Sequence, residues 1–162
     1  MLQASPPAVR LLVLGFLAAG SLSARGATVT DILNVSATVL SSCALSGGTL
    51  SFGNYTSGQP TDLDVDGSIN YVNCSGTLTF ALDGGGSGNI NARQMRQGAN
   101  QLNYQIYRTA SRSAVFGTGA DSQGKILIGT QSGTLTIYGR IPKSQIVPDG
   151  TYTDIVNITL TF

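Results

Sequence analysis

The chain contains no histidine, no glutamate and no tryptophan. Without imidazole there is no Ser-His-Asp or Cys-His relay and no zinc site built on histidine. The acidic groups are all aspartates, 8 in number and scattered, so no pair stands out for glycoside hydrolysis. Lys143-Ser144 is a bare dipeptide with nothing around it to support a nucleophile. Gly84-Gly85-Gly86-Ser87-Gly88 follows a strand pattern but lacks the Lys-Ser/Thr of a phosphate loop, and it reads as a hairpin turn. These gaps point away from an enzyme and from any cofactor or bound metal.

Charge is scarce as well. Only 10% of residues are charged and the net charge is +1, so no basic stripe is available to neutralise phosphates and nucleic acid is not expected as a partner. Lysine is rare while Thr, Ser, Asn, Gly and Val abound, a bias against helices and toward strands joined by tight turns.

The long apolar runs are confined to the start. Arg10 precedes Leu11 to Ala19, and small residues follow at Ser21, Ser23 and Ala24. That layout is a secretory leader over residues 1–24, cut after Ser23 or Ala24. The run falls well short of the ~20 residues a spanning helix needs. Export gives the only two cysteines, Cys43 and Cys74, the meaning of a disulfide. Such a bridge closes a loop of about 32 residues and stabilises by roughly 3.5–4 kcal/mol.

What remains is β-rich. Strands are expected at Thr49–Phe52, around Ile69–Cys74, at Leu78–Leu82, Leu102–Tyr107, Ala114–Phe116, Lys125–Ile128, Thr134–Ile141 and Tyr152–Phe162. Polar turns separate them, at Ser46-Gly47-Gly48 and over 56–67 and 83–89; Met95 is expected to plug the core from a polar stretch at 91–97. Short strands at this spacing indicate one all-β sandwich domain.

One stretch does not fit inside such a domain. From Val29 to Cys43 every second residue is mainly apolar, through Val29, Leu33, Val35, Ala37 and Val39, with Asp31 as an interruption. At roughly 3.3 Å per residue it would span about 50 Å, against ~17–20 Å for a typical strand. Either it bends into two strands or part of it reaches beyond its own domain. At the other end Val156, Ile158, Leu160 and Phe162 form an apolar face up to the last residue, with no later strand to cover it. Burying these side chains is worth on the order of 6–12 kcal/mol at roughly 1.5–3 each, so an open edge there is costly.

Two weaker motifs have plain explanations. Asp62-Leu63-Asp64-Val65-Asp66-Gly67 opens like a calcium loop, but Asn73 stands where a bidentate Glu is needed and strands flank it. It reads as a polar turn. The Asn-x-Ser/Thr triplets at Asn34, Asn54, Asn73 and Asn157 read as incidental.

Taken in order, several short motifs resemble one family. They are Val39-Leu40-Ser41-Ser42-Cys43, Leu50-Ser51-Phe52-Gly53-Asn54-Tyr55, Ile69-Asn70-Tyr71-Val72-Asn73-Cys74, Arg93-Gln94-Met95, Leu102 to Arg108, Tyr138-Gly139-Arg140-Ile141, and Gly150 to Val156. Together they resemble the spore coat protein U domain, the fold family of archaic chaperone–usher pilus subunits. Phe116-Gly117 stands where that family often carries Trp-Gly.

The resemblance implies an immunoglobulin-like β-sandwich that lacks its last strand and is completed by donor-strand complementation. It also implies a periplasmic chaperone, an outer-membrane usher and neighbouring subunits as partners. The protein would pass through the periplasm to a surface fibre with a role in adhesion or biofilm formation. Residues 25–36 would be the donor extension, with Val29, Asp31, Leu33 and Val35 in the donor strand. Residues 37–162 would be the sandwich, its acceptor groove lined by Ala37, Val39, Val156, Ile158, Leu160 and Phe162. Three readings stay open beside this one: a coat protein of a spore or cell surface, a tip binding module using Tyr55, Tyr104, Tyr107 and the glycine turn, and a self-sufficient sandwich closed by its own first stretch.

Overall fold

The computed structural model describes residues 28–39 and 42–162; the expected leader over 1–24 lies outside them. Contacts divide the chain into two units, Met1–Thr38 and Val39–Phe162. In the first, the described residues form neither helix nor strand and are exposed. The second holds six strands: β1 (Ala44–Thr49), β2 (Leu63–Leu82), β3 (Arg93–Gln97), β4 (Asn100–Tyr107), β5 (Gln123–Ile141) and β6 (Ile158–Thr161). They form one curled antiparallel sheet in the order β1-β2-β5-β4-β3, with β6 paired to the far end of β2. The fold is the expected all-β, immunoglobulin-like sandwich.

Two strands are far longer than expected. β2 has 20 residues and β5 has 19, and each absorbs two expected strands. The residues between them look like turns but act as bulges: Asn73 (φ 53°) and Gly76 (φ 77°) take left-handed backbone, and the β2–β5 register shifts on both sides of Cys74. Asn and Gly are the residues that tolerate this conformation, so the ribbon bends without breaking. Its near half pairs with β1 and β4, its far half with β6.

Three other expectations shift. β1 starts at Ala44 and runs through Ser46-Gly47-Gly48, where a turn was expected, accommodated by a register shift between Leu45 and Gly48. Thus Ala37 and Val39 lie in no strand and are exposed, Val39 at 93%. Ala114–Phe116 contributes only an isolated bridge, Tyr107 to Val115. The C-terminal strand is assigned only over β6, with one further bridge from Thr153 to Arg96.

The core gathers Ile69, Tyr71, Leu78 and Phe80 from β2 with Leu102, Tyr104 and Ile106 from β4 and Ile137 and Ile141 from β5. Phe116 is fully buried and Met95 packs on the core from β3. The disulfide Cys43–Cys74 is formed, tying the entry of β1 to the bulge in β2.

Candidate functional site

A groove of about 760 Å³ opens along one side of the domain. One wall is the segment Gly48 to Tyr55, the other Val147 to Ile158, and the floor includes Ile69, Leu82, Leu102, Tyr104, Ile106 and Ile137. Leu50 and Phe52 seat the first wall. A Cβ at Gly139 would lie 2.9 Å from Leu50 Cδ1 and 2.9 Å from Phe52 Cζ, so only glycine on β5 leaves room for both. Phe52 then meets Tyr104 edge to face, with centroids 5.9 Å apart. Gly139→Val should push Leu50 and Phe52 off the floor and cost about 1–3 kcal/mol in urea denaturation. A loss under about 0.5 kcal/mol would mean that the wall adjusts freely.

The second wall alternates. Tyr152, Asp154, Val156, Ile158 and Leu160 are half-buried, while Thr153, Ile155 and Thr159 are exposed, so the period-2 face expected from sequence extends beyond the assigned strand. Polar contacts hold it. Thr153 exchanges both backbone bonds with Arg96, at 2.8 and 3.1 Å. Tyr104 donates its hydroxyl to Asp154 Oδ2 at 2.6 Å, and Asp154 Oδ1 accepts the Gly86 N–H at 2.8 Å. Burial, reinforced by that hydrogen bond to Asp154, pushes the Tyr104 phenol far above its ordinary range. Asp83 takes Asn157 by its backbone N–H (2.9 Å) and its side-chain amide (2.6 Å). Desolvation pushes the Asp83 carboxyl up, but donors from Asn157 and Gly85 outweigh it and keep it below the usual carboxylate value.

Both walls leave backbone groups open toward the groove. Among the described residues, Tyr152, Asp154 and Val156 make no backbone–backbone hydrogen bond, and neither do Leu50 to Asn54. Burying unpaired peptide groups is costly, so a groove bounded by two such segments is a slot for an extended strand. The chemistry on offer is strand addition: peptide hydrogen bonds along the walls and an apolar floor for alternate side chains.

The sequence-expected groove residues divide. Val156 and Ile158 line it. Leu160 packs on the core opposite Phe80 in β6, and Phe162 is 58% exposed. Ala37 and Val39 are not among its lining residues, because β1 begins too late; Leu50 and Phe52 supply that wall instead. Of the residues expected as donors, Val29, Leu33 and Val35 are 90%, 85% and 83% exposed, and Asp31 accepts the neighbouring Ile32 N–H.

The other candidate surfaces are used internally. Tyr104 is buried in the groove floor, and the Tyr55 hydroxyl donates to Pro142 O and accepts from Gln145 N, so neither hydroxyl is free for an outside ligand. The Asp62-Asp64-Asp66 carboxylates are taken by arginines: Arg140 binds Asp64 through two nitrogens (2.7 and 2.8 Å) and Arg112 binds Asp66 at 3.0 Å. The Arg140 hydrogen bond is the main reason that Asp64 titrates lower than an ordinary aspartate.

Residues 29–159 match a family model described as the Spore Coat Protein U domain. Protein U of Myxococcus xanthus is 32% identical over 178 aligned residues, covering 96% of this chain and 99% of that one. Among solved structures, a chain of the chaperone–tip adhesion subunit pre-assembly complex from the archaic chaperone–usher Csu pili of Acinetobacter baumannii aligns with a TM-score of 0.55 and 19% identity, over 77% of this chain and 41% of that one. This chain thus spans about two-fifths of that protein. A chaperone–usher pilus structure aligns with a TM-score of 0.50 and 20% identity, over 82% and 95% of the two chains. At such identities the likeness speaks for the fold.

Proposed function

The chain belongs to the Spore Coat Protein U domain family, and from that premise we propose that it is a structural subunit of a surface fibre assembled by donor-strand exchange. The observation that carries the reading is the groove between Leu50–Asn54 and Tyr152–Val156, where, among the described residues, Leu50 to Asn54 and the alternate residues Tyr152, Asp154 and Val156 lack backbone partners. A strand from another molecule would satisfy them and cover the apolar floor. The exposed, alternating stretch from Val29 to Val39 is the donor in this reading. A periplasmic chaperone guards the groove before assembly, since an open apolar edge otherwise aggregates. An outer-membrane usher then passes subunits to the surface, where the fibre serves adhesion or biofilm formation.

The test is assembly in solution. The purified full-length chain should form polymers that survive detergent, while a chain without Thr28–Thr38 should stay monomeric and shorten the polymers when mixed in. A full-length chain that remains a stable, monodisperse monomer overturns the reading.

The family description favours a second reading, a coat structural protein built from the same sandwich. It needs no strand exchange. Under it, the shortened and full-length chains associate equally well.

A further inference from the structure

We propose that Asp31 sets the donor register: Leu33, Val35, Ala37 and Val39 of one copy enter the groove of the next, and Val29 and Asp31 stay outside it. This rests on the donor-strand reading and fixes which residues perform it.

The groove sets the length. The alternating part of its second wall, from Tyr152 to Ile158 beyond Pro148 and Gly150, is six residue rises, or about 20 Å, enough for about four inward side chains of an extended partner. With the odd residues turned inward, three windows of the alternating stretch have that length, and the middle one, 31–37, shares the inward Asp31 of 29–35, which leaves 29–35 and 33–39 to compare. In the window 29–35 the inward set is Val29, Asp31, Leu33 and Val35, and Ile32 falls on the outward face. In the window 33–39 the inward set is Leu33, Val35, Ala37 and Val39, and the outward set is Asn34, Ser36 and Thr38. The second window is apolar inward and polar outward throughout. The first is faulted on both faces.

Charge points the same way. Among the described residues, no lysine or arginine lines the groove, and the charged residues that do are Asp149 and Asp154. Asp154 is committed to Tyr104 and Gly86, and the nearby Arg93 guanidinium is bound to Asp83, Ile90, Gln105 and Phe116. An aspartate drawn into this slot would lose water and meet only like charge. Asp31 is therefore a stop at the mouth. With Val39 seated, only residues 40–42 separate the donor strand from Cys43, so consecutive subunits are closely coupled.

The test uses the full-length chain carrying Val29→Asp, Asp31→Val, Leu33→Asp, Ala37→Asp or Val39→Asp, with polymer growth followed by light scattering and detergent-resistant ladders. Thermal melts serve as a folding control, because all five positions are exposed. Leu33→Asp lies in both windows and should stop assembly. Val29→Asp and Asp31→Val should assemble within about twofold of the parent, and Ala37→Asp and Val39→Asp should slow at least about tenfold. Slowing by Val29→Asp, or strong acceleration by Asp31→Val with Val39→Asp unaffected, assigns the window 29–35 and overturns the register alone. Assembly undisturbed by Leu33→Asp and by loss of Thr28–Thr38 overturns the donor reading itself.

Discussion

Arg93→Met should destabilise the domain by about 3–5 kcal/mol, measured by urea or thermal unfolding. Arg93 is 0% exposed, yet among the described residues it faces no carboxylate in a salt bridge. Its guanidinium donates to Asp83 O (3.0 and 2.7 Å), Phe116 O (2.8 Å), Gln105 Oε1 (2.7 Å) and, more weakly, Ile90 O and Leu82 O (3.3 and 3.4 Å). Burial pulls its pKa below the usual guanidinium value, and an arginine in a protein keeps its charge. Methionine fills much of the volume but offers no donor. Gln105 Oε1 would keep the Ile106 N–H and Ile90 O the Gln105 amide, so the groups left without a partner are chiefly Asp83 O and Phe116 O. A buried orphan carbonyl at Phe116 and a partly buried one at Asp83, at about 1–3 kcal/mol each, account for the estimate.

The same substitution should reach the groove. Asp83 holds Asn157 in the second wall, and Arg93 fixes the Asp83 backbone, so the wall should loosen before the core unfolds. Hydrogen exchange at Asn157 and Thr153 should rise in the variant. Arg93→Lys should recover only part of the stability, since one ammonium cannot reach acceptors spread across the planar fork. If Arg93→Met costs less than about 1 kcal/mol, the carbonyls are being satisfied by something other than Arg93.

Arg93 also shows what the sequence conceals. It lies in the polar stretch 91–97, where only Met95 was expected inside; the structure packs Met95 partly against the core and buries Arg93 completely, because Arg93 is the hub where the ends of β2 and β4 and the Phe116 loop meet. By contrast, the alternation of Leu102 to Ile106 and of Tyr152 to Leu160 was legible, because a period of two leaves no other way to bury one face. The long β2 and β5 strands were not. Asn73, Gly76 and Gly129 carry turn chemistry, and only the partner strand decides whether such residues turn the chain or bulge it. Of the groove, the sequence showed the alternation that places Val156 and Ile158 on one face of its C-terminal wall. Its first wall was placed about a dozen residues early, since strand propensity around Val39 says nothing about where β1 finds β2.

Replacing Cys43 and Cys74 together by serine should cost about 3.5–4 kcal/mol, a fall in Tm of roughly 10–15 °C for a domain of this size. The bridge spans a sequence separation of 31 and restricts the unfolded chain accordingly. Its native role is local as well. β1 is a short, largely exposed edge strand with a register shift between Leu45 and Gly48, so its first residues have little else to hold them. In the double-serine protein, amide exchange should therefore rise first at Ala44 and Leu45. Leu50 and Phe52 should keep their side-chain packing on the floor, because their seat beside Gly139 does not depend on the bridge. Cys43 also lies where the exposed extension joins the domain, so in a fibre any pull on a donor strand passes through it into β2. Polymers of the double-serine protein should then dissociate at lower urea than those of the parent, even where both monomers are folded. Treating the parent with reductant under the same conditions should reproduce both the lower Tm and the earlier dissociation. A double-serine protein within about 1 kcal/mol of the parent would show that β1 is held by its pairing with β2 alone.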